Sequence, residues 1–322
     1  MPGVTSSDVA RAAGVSRTTV SYVLNDTPGA SVSEATRARI HAAAARLGYA
    51  PSAAARTLRR GRSDLVVCVL PDWPTGPVVD SVLDHLTDVL AARGLFVLVH
   101  HHRGSRDLAD LWRAVTPRAV VGLAPFSAAD VAAMERAGIQ VVGAAQPADD
   151  DAFDRSQRGI AALQVDHLAA AGHERLAVAT TDDARLSRFA DLRVAGARDA
   201  CARRGLRPPL RTVVRPDEAA TRAVRDWHGQ GVTGVVAYND DLALAVVAGA
   251  REAGLTVPGR LAVIGVDDAP AGRVASPPLT TVAQPVGPQS DHLAASVLAA
   301  LDGVVAPPWP HDPARVVVRG SA

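Results

Sequence analysis

Two sets of polar side chains in this sequence have types and positions that could do chemistry. The first lies inside "DVARAAGVSRTTVSYVLN", residues 8 to 25. Here a helix is expected to expose Arg17, Thr18, Ser21 and Tyr22. These are donors and acceptors of the kind that reach base edges in a major groove. Ser16 and Thr19 are better placed for phosphates. Thr5 and Asn25, near the two ends of the segment, complete the expected DNA-facing set. The second set follows apolar runs of strand length. Asp72 and Trp73 follow "DLVVCVL", Phe126 follows "RAVVGLA", Asn239 follows "VVAY" and Asp267 follows "VIGV". Arg193 is expected to open a helix near them. An Arg with an Asp and an Asn suits vicinal hydroxyls or a polar ring, and an aromatic offers a stacking face. Each also has a structural reading: Asp as a helix cap after a strand, Arg as an ion-pair partner.

The first set needs a scaffold of short helices. Thr5 with Asp8 three residues on is a capping-box start. "SDVARAAG" then puts Val9, Ala10 and Ala13 on one face, and Gly14 stands where the chain must turn. Ser16 caps a second helix, with Val20 and Leu24 expected on its buried side. The spacing of Ala10, Gly14 and Val20 is that of a helix-turn-helix: a small residue for close approach, a corner, and a branched lock. Ser33 begins a third helix with Ile40 and Leu47 inward and Gly48 as its stop.

Charge agrees with a nucleic-acid partner for this head. Residues 1–62 hold nine Arg and three acids, net +6, whereas the rest of the chain is net −5. No Lys occurs, so all 34 basic residues are Arg, a pattern that codon bias explains. At 322 residues the chain suits two or three domains. Cys68 and Cys201 are the only cysteines, which predicts a reduced, cytoplasmic protein rather than a disulfide scaffold. No signal pattern and no membrane-length apolar run is expected.

After the head, "YAPSAAARTLRRGRS" offers Pro51 as a helix start and a short alanine-rich helix from Ser52 to Arg60. At about nine residues it is marginal alone. Its readings are a flexible linker, or a segment that folds in the DNA minor groove with Leu58 as a wedge and Arg56 beside it. At this point the motifs converge. "TSSDVARAAGVSRTTVSYVLN", "ATRARIHAAAARLGYAPSAAARTLRRGRS", "AYNDDLALAVV" and "VIGVDD" stand in an order that resembles the lactose-repressor (LacI/GalR) family of bacterial transcription regulators. The resemblance runs over essentially the whole chain. It implies paired hinge helices in the minor groove at the centre of a near-palindromic operator. Leu58 matches the wedge leucine, and Ala55 the small residue facing the partner hinge. Arg17, Thr18 and Tyr22 match base-reading positions, Tyr22 departing from the arginine of some members. Arg193, Asn239 and Asp267 match positions that often hydrogen-bond the effector, commonly a sugar or a purine.

From about residue 64, strands and helices alternate at the spacing of parallel sheets covered by helices, and the pattern restarts at "GIAALQVDHLAAAG". The expected fold is therefore an all-α helix-turn-helix head (1–50), a hinge (51–63), and an α/β body (64–322) of two doubly wound lobes. The resemblance makes that body periplasmic-binding-protein-like, with crossings near 155, 285 and 304. Lobe 1 would comprise 64–154 and 285–303, and lobe 2 would comprise 155–284 and 304–322. Ligands in such folds lie at the carboxyl ends of strands.

Other constellations carry less. Of His100, His101 and His102, only the first and last share a strand face, with no third ligand placed. Asp149 to Asp151 lacks calcium-loop spacing and reads as a solvated loop. No nucleotide-binding or nucleophile-elbow motif occurs. The expectation is a homodimeric regulator, a repressor by resemblance, controlled by a small molecule such as a sugar, with no enzymatic activity, cofactor or metal. Without a heptad tail after "VVVRGSA", tetramers are not expected. The alternatives are a two-lobed binding protein or a Rossmann-type enzyme with a helical extension, and a family member without an effector response.

Overall fold

The computed structural model describes residues 4–25, 29–50, 57, 61, 63–104, 108–142, 150–284, 286–308 and 314–322. Ser52, Ala55, Arg56 and Leu58 of the expected hinge lie outside the described residues, as does Asp149. The chain divides into two compact units, residues 1–64 with 111–118, and residues 65–110 with 119–322.

In the first unit, α1 (Ser6–Ala13) begins at Thr5. The Thr5 backbone N–H and hydroxyl both donate to the Asp8 carboxylate, at 3.0 and 2.7 Å. Those bonds, with a smaller contribution from Arg11, hold the Asp8 carboxyl below its usual range. Gly14 ends α1 at φ 64°, in the left-handed region that glycine tolerates best. Ser16 then caps α2 (Arg17–Leu24), its hydroxyl accepting the Thr19 N–H at 3.0 Å. Ser33 caps α3 (Glu34–Leu47) in the same way. Val9, Ala10, Ala13, Val20, Val23, Ile40, Ala43 and Ala44 make one core. The expected inward residues hold: Val20 and Ile40 are fully buried, Leu24 and Leu47 are partly buried against the same core, and Val23 joins them. Both leucines close their helices, where the last turn leaves the packed centre, and the small pair Ala43–Ala44 occupies it instead.

The second unit holds two sheets. The first has the order β2-β1-β3-β4, all parallel. It is built from β1 (Leu65–Leu70), β2 (Phe96–His101), β3 (Ala119–Gly122) and β4 (Gln140–Val142). α4 (Pro77–Ala91) and α6 (Ala128–Arg136) are among the connections, and α5 (Leu108–Val115), which precedes β3, is counted from Leu111 with the first unit. Next, α7 (Asp150–Ala170) leads into the second sheet: β5 (Leu176–Thr180), β6 (Leu210–Val213), β7 (Gly234–Ala237), β8 (Ala262–Val266) and β9 (Thr280–Ala283). Between them run α8 (Ser187–Arg203), α9 (Glu218–Gly229), α10 (Asp240–Glu252) and α11 (Pro270–Val274). α12 (Val286–Asp302) and β10 (Arg315–Val317) follow. The second sheet has the order β10-β9-β8-β7-β5-β6, parallel except that β10 runs antiparallel to β9.

Successive strand residues point to opposite faces, and the central strands β1, β3, β5, β7 and β8 are buried on both, whereas the edge strand β2 is largely exposed. In the second lobe, Ala177, Ala179, Val235 and Val263 enter one core, and Leu176, Val178, Val236 and Ile264 enter the core on the opposite face. In the first lobe, Val66, Cys68 and Leu70 pack with Leu86 and Leu90 of α4 and with Leu293, Ala294 and Val297 of α12. So the chain returns to the first lobe's core after β9, and then to the second sheet through β10. Burial pushes the Cys68 thiol up to about 12, so it is an inert core residue.

Two local expectations are corrected, and two strands appear that the sequence reading did not mark. Asp150 and Asp151 open helix α7 rather than forming a loop. Arg193 lies in the middle of α8, not at its start, because the 3-10 turn at Ala184–Leu186 runs directly into Ser187 with no glycine or proline to delay the helix. β6 and β9, which no apolar run announces, are ordered strands. Their sequences "LRTV" and "TTVA" carry polar residues on short segments, and pairing supplies the stability.

Candidate functional site

In the first unit, α2 is the surface that could read DNA. Arg17 and Thr18 are exposed, and Tyr22 is 43% exposed. Other expected residues are engaged within the head. The Ser16 hydroxyl caps the helix and lies 2.8 Å from the Thr19 hydroxyl. Asn25 ends the helix and donates to the Ser21 carbonyl at 2.8 Å and to its hydroxyl at 3.2 Å. Arg17 Nε donates to Ser6 Oγ at 3.1 Å, which ties α2 to the start of α1. Helix ends thus hold the segment rigid, and Thr18 and Tyr22 stand out from it. Donors and an aromatic edge on a basic surface suit a major groove with flanking phosphates.

In the second unit, Asn239 and Asp267 follow β7 and β8, and Arg193 reaches the end of β7 from the middle of α8. Arg193 is only 7% exposed. Its Nε donates to Gln157 Oε1 at 3.1 Å, its Nη1 donates to the Tyr238 carbonyl, and its guanidinium lies 4.7 Å from the centroid of the Tyr238 ring. Asp267 follows β8 at φ 109° and accepts from Gln284 Nε2 at 2.7 Å. Burial pushes its carboxyl above the usual range, against the opposing pull of Arg193 and Gln284. The Tyr238 phenol is likewise raised by burial, with Arg193 lowering it and Asp267 and Asp183 adding to the rise. Arg193, Tyr238 and Asp267 therefore share one electrostatic neighbourhood, braced by Gln157 and Gln284.

Asn239 behaves differently from the expectation. Its Oδ1 accepts the Leu242 N–H at 3.0 Å, so its carbonyl caps α10. Its neighbour Asp240 is the residue the sequence did not single out. It is 2% exposed and accepts from the Ala269 N–H at 2.7 Å and the Thr281 hydroxyl at 2.6 Å. Burial pushes its carboxyl up to about 6 despite those two bonds. Gly265 on β8 makes room for it, since a Cβ there would collide with Asp240 Oδ1. Gln164 on α7 performs a similar task, donating to the carbonyls of Ala237, Ile264 and Gly265 at the ends of β7 and β8. The sequence signal for Gln164 is a polar residue inside the otherwise apolar "IAALQV", whereas Asp240 stands in the polar run "NDD" with nothing to mark it.

From the first lobe come Asp72, Trp73 and Phe126. Asp72 pairs with Arg103 at 3.5 Å, both well exposed. Its charge also contributes to the raised affinity of Arg185 for its proton, after the larger effect of the Asp183 hydrogen bond. Trp73 meets Phe189 of α8 edge-on at 5.0 Å. Phe126 lies back over the end of β3, where its ring would meet a Cβ on Gly122. The structure thus brings Trp73 and Asp72 to the second lobe's helices and leaves Phe126 beside its own strand. His100 and His102 stand 6.5 Å apart, ring to ring. Among the described residues no helix is long and apolar enough to cross a membrane.

Comparison with known proteins accounts for both units. Residues 5–52 match the model of bacterial regulatory proteins of the lacI family, and residues 165–322 match that of the periplasmic binding protein-like domain. The HTH-type transcriptional regulator GalR of Escherichia coli (strain K12) is 31% identical over 311 residues, covering 92% of this chain and 89% of that protein. The HTH-type transcriptional regulator reg1 of Streptomyces lividans is 29% identical over 351 residues, covering 98% and 95%. Among solved structures, the lac repressor dimer bound to operator and the anti-inducer ONPF superposes with a TM-score of 0.78 at 24% identity, over 99% of each chain. The transcriptional regulator CelR–cellobiose complex superposes at 0.63 and 22% identity, covering 99% of this chain and 100% of that one. With a helix-turn-helix head and a two-lobed ligand-binding body in this order, the chain belongs to the LacI family of DNA-binding transcription regulators, which are not enzymes.

Proposed function

We propose that this regulator is a cytoplasmic homodimer that represses transcription from a near-palindromic operator and changes its operator affinity when a sugar-class metabolite enters the interlobe cleft. The observation that carries the DNA reading is the division of labour on α2. Ser16, Ser21 and Asn25 hold the helix, and Thr18 and Tyr22 face outward from it on a head of net +6. Operator half-sites related by a two-fold match a two-fold dimer, and the hinge with Leu58 would join them in the minor groove. The effector reading rests on Arg193 of α8 beside Tyr238 and Asp267 at strand ends, with Gln157 bonding Arg193 and Gln284 bonding Asp267. A guanidinium beside a carboxylate suits vicinal hydroxyls. Similar proteins are described with cellobiose and with ribose, which supports a sugar as the class to test first.

The test is selection of binding sites from random DNA with the full-length protein, followed by a salt titration of the winning site and a screen of mono- and disaccharides for its release. A palindromic site with a steep salt slope and one releasing sugar supports the reading in full. Enrichment of nothing at low salt would sink the DNA reading. A clean operator with no responsive sugar would favour the second reading, a regulator without a sugar response. One observation speaks for that second reading: Arg193, Asn239 and Asp267 each already bond within the protein.

A further inference from the structure

The chain has only four Phe, four Trp and three Tyr, yet three of these eleven form a continuous edge-to-face run. Phe153 on α7 meets Phe189 on α8 at 5.2 Å and 80°, and Phe189 meets Trp73 at 5.0 Å and 83°. Trp73 belongs to the loop after β1 in the first lobe, so the run crosses from one lobe to the other. Arg188 covers the Phe153 ring at 4.7 Å and also bonds Asp154 at 3.3 Å. Trp73 lies outside the first lobe's core, and Phe189 packs only at the margin of the second's. Phe189 also precedes Arg193 by four residues on α8, so the two side chains share one helix face, one turn apart.

We propose that Trp73 and Phe189 form an interlobe latch that holds the cleft closed without a ligand, which makes Phe189 the residue that limits what reaches Arg193. Opening the lobes would expose two large apolar rings to water, and closure removes them, so no bound molecule is required to draw the lobes together. A ligand approaching Arg193 meets Phe189 one turn away and competes with its contact to Trp73. The limit on ligand size rests on the reading of this cleft as the effector site, whereas the latch itself does not.

Hydrogen exchange of the full-length protein without added ligand tests the latch. In Phe189→Ala, amides of the segment 71–76 are expected to exchange about two- to tenfold faster than in wild type, the range that the loss of one aromatic pair allows. In Trp73→Ala, the reciprocal increase is expected over 184–190. Strands β5, β7 and β8 keep wild-type protection in both. If Phe189→Ala also loosens the second lobe's core, Trp73→Ala decides, since it leaves α8 intact. Unchanged exchange over 184–190 in folded Trp73→Ala overturns the proposal. Failure of the effector reading would show separately, as an operator that no sugar releases while the exchange differences persist.

Discussion

The Arg193 guanidinium stacks 4.7 Å from the Tyr238 ring centroid and donates through Nη1 to the carbonyl of the same tyrosine. One planar fork thus ties α8 to the end of β7, and Gln157 on α7 takes its Nε at 3.1 Å. A lysine has neither the plane to stack nor a fork to divide between two partners.

Arg193→Lys should therefore lower stability by about 1–3 kcal/mol, because a buried acceptor loses its donor. It should also abolish effector-dependent release from the operator. Melting curves and operator titrations with the releasing sugar check this. An unchanged melting temperature would show that the stacked geometry contributes little.

Asp240 predicts an unusual pH dependence. Its folded value of about 6 is above the ordinary 3.8, so the folded protein binds this proton more tightly than the unfolded chain. The sign follows directly: the stabilising contribution is present below about pH 4 and is lost as pH rises through about 6. The difference amounts to about 3 kcal/mol. Asp240→Asn should flatten this segment of the stability curve and leave the protein at least as stable at pH 7, since the amide oxygen can still accept from Ala269 and Thr281 can accept from the amide. Asp240→Ala should cost about 2–4 kcal/mol by leaving both partners unbonded. Denaturant unfolding at several pH values separates the two.

On α2, outward and capping residues should give different phenotypes. Thr18→Ala and Tyr22→Ala should each weaken operator binding about tenfold or more and alter the selected half-site. Ser16→Ala should cost about 1 kcal/mol of head stability, through the lost cap, with the preferred sequence unchanged. A changed sequence preference in Ser16→Ala would move that hydroxyl onto the DNA.

Gly14 isolates a purely backbone effect. It sits at φ 64° with nothing within 4 Å of where a Cβ would be. Gly14→Val should therefore destabilise the head by about 1–2 kcal/mol through strain alone, and Gly14→Asn by much less. Operator affinity should follow that order, and the body's melting transition should stay fixed in both variants.

What could be read without the structure was whatever depends on local order. The caps at Thr5, Ser16 and Ser33 and the corner at Gly14 involve residues a few positions apart, so the helix-turn-helix was visible in the text of the chain. The apolar runs of β1, β5, β7 and β8 announced a buried parallel sheet for the same reason. The strand-end residues Asn239 and Asp267 can be narrowed to a neighbourhood because strands and crossovers alternate in a fixed sense, whereas the sequence puts Arg193 at a helix start and does not single out Tyr238.

The tertiary structure decided which polar residue does what, because hydrogen bonds and desolvation act between segments far apart in the chain. Asn239 and Asp240 are adjacent and chemically similar, yet one caps a helix at half exposure and the other is buried between Ala269 and Thr281. Nothing in "YNDD" distinguishes them; the approach of β9 and the turn after β8 does. Trp73 and Phe189 are more than a hundred residues apart, and only the folding of both lobes brings their rings to 5.0 Å. Spacing along the chain determined the elements. The burial that the assembled sheets impose, and the partners left within reach of each donor and acceptor, determined the site.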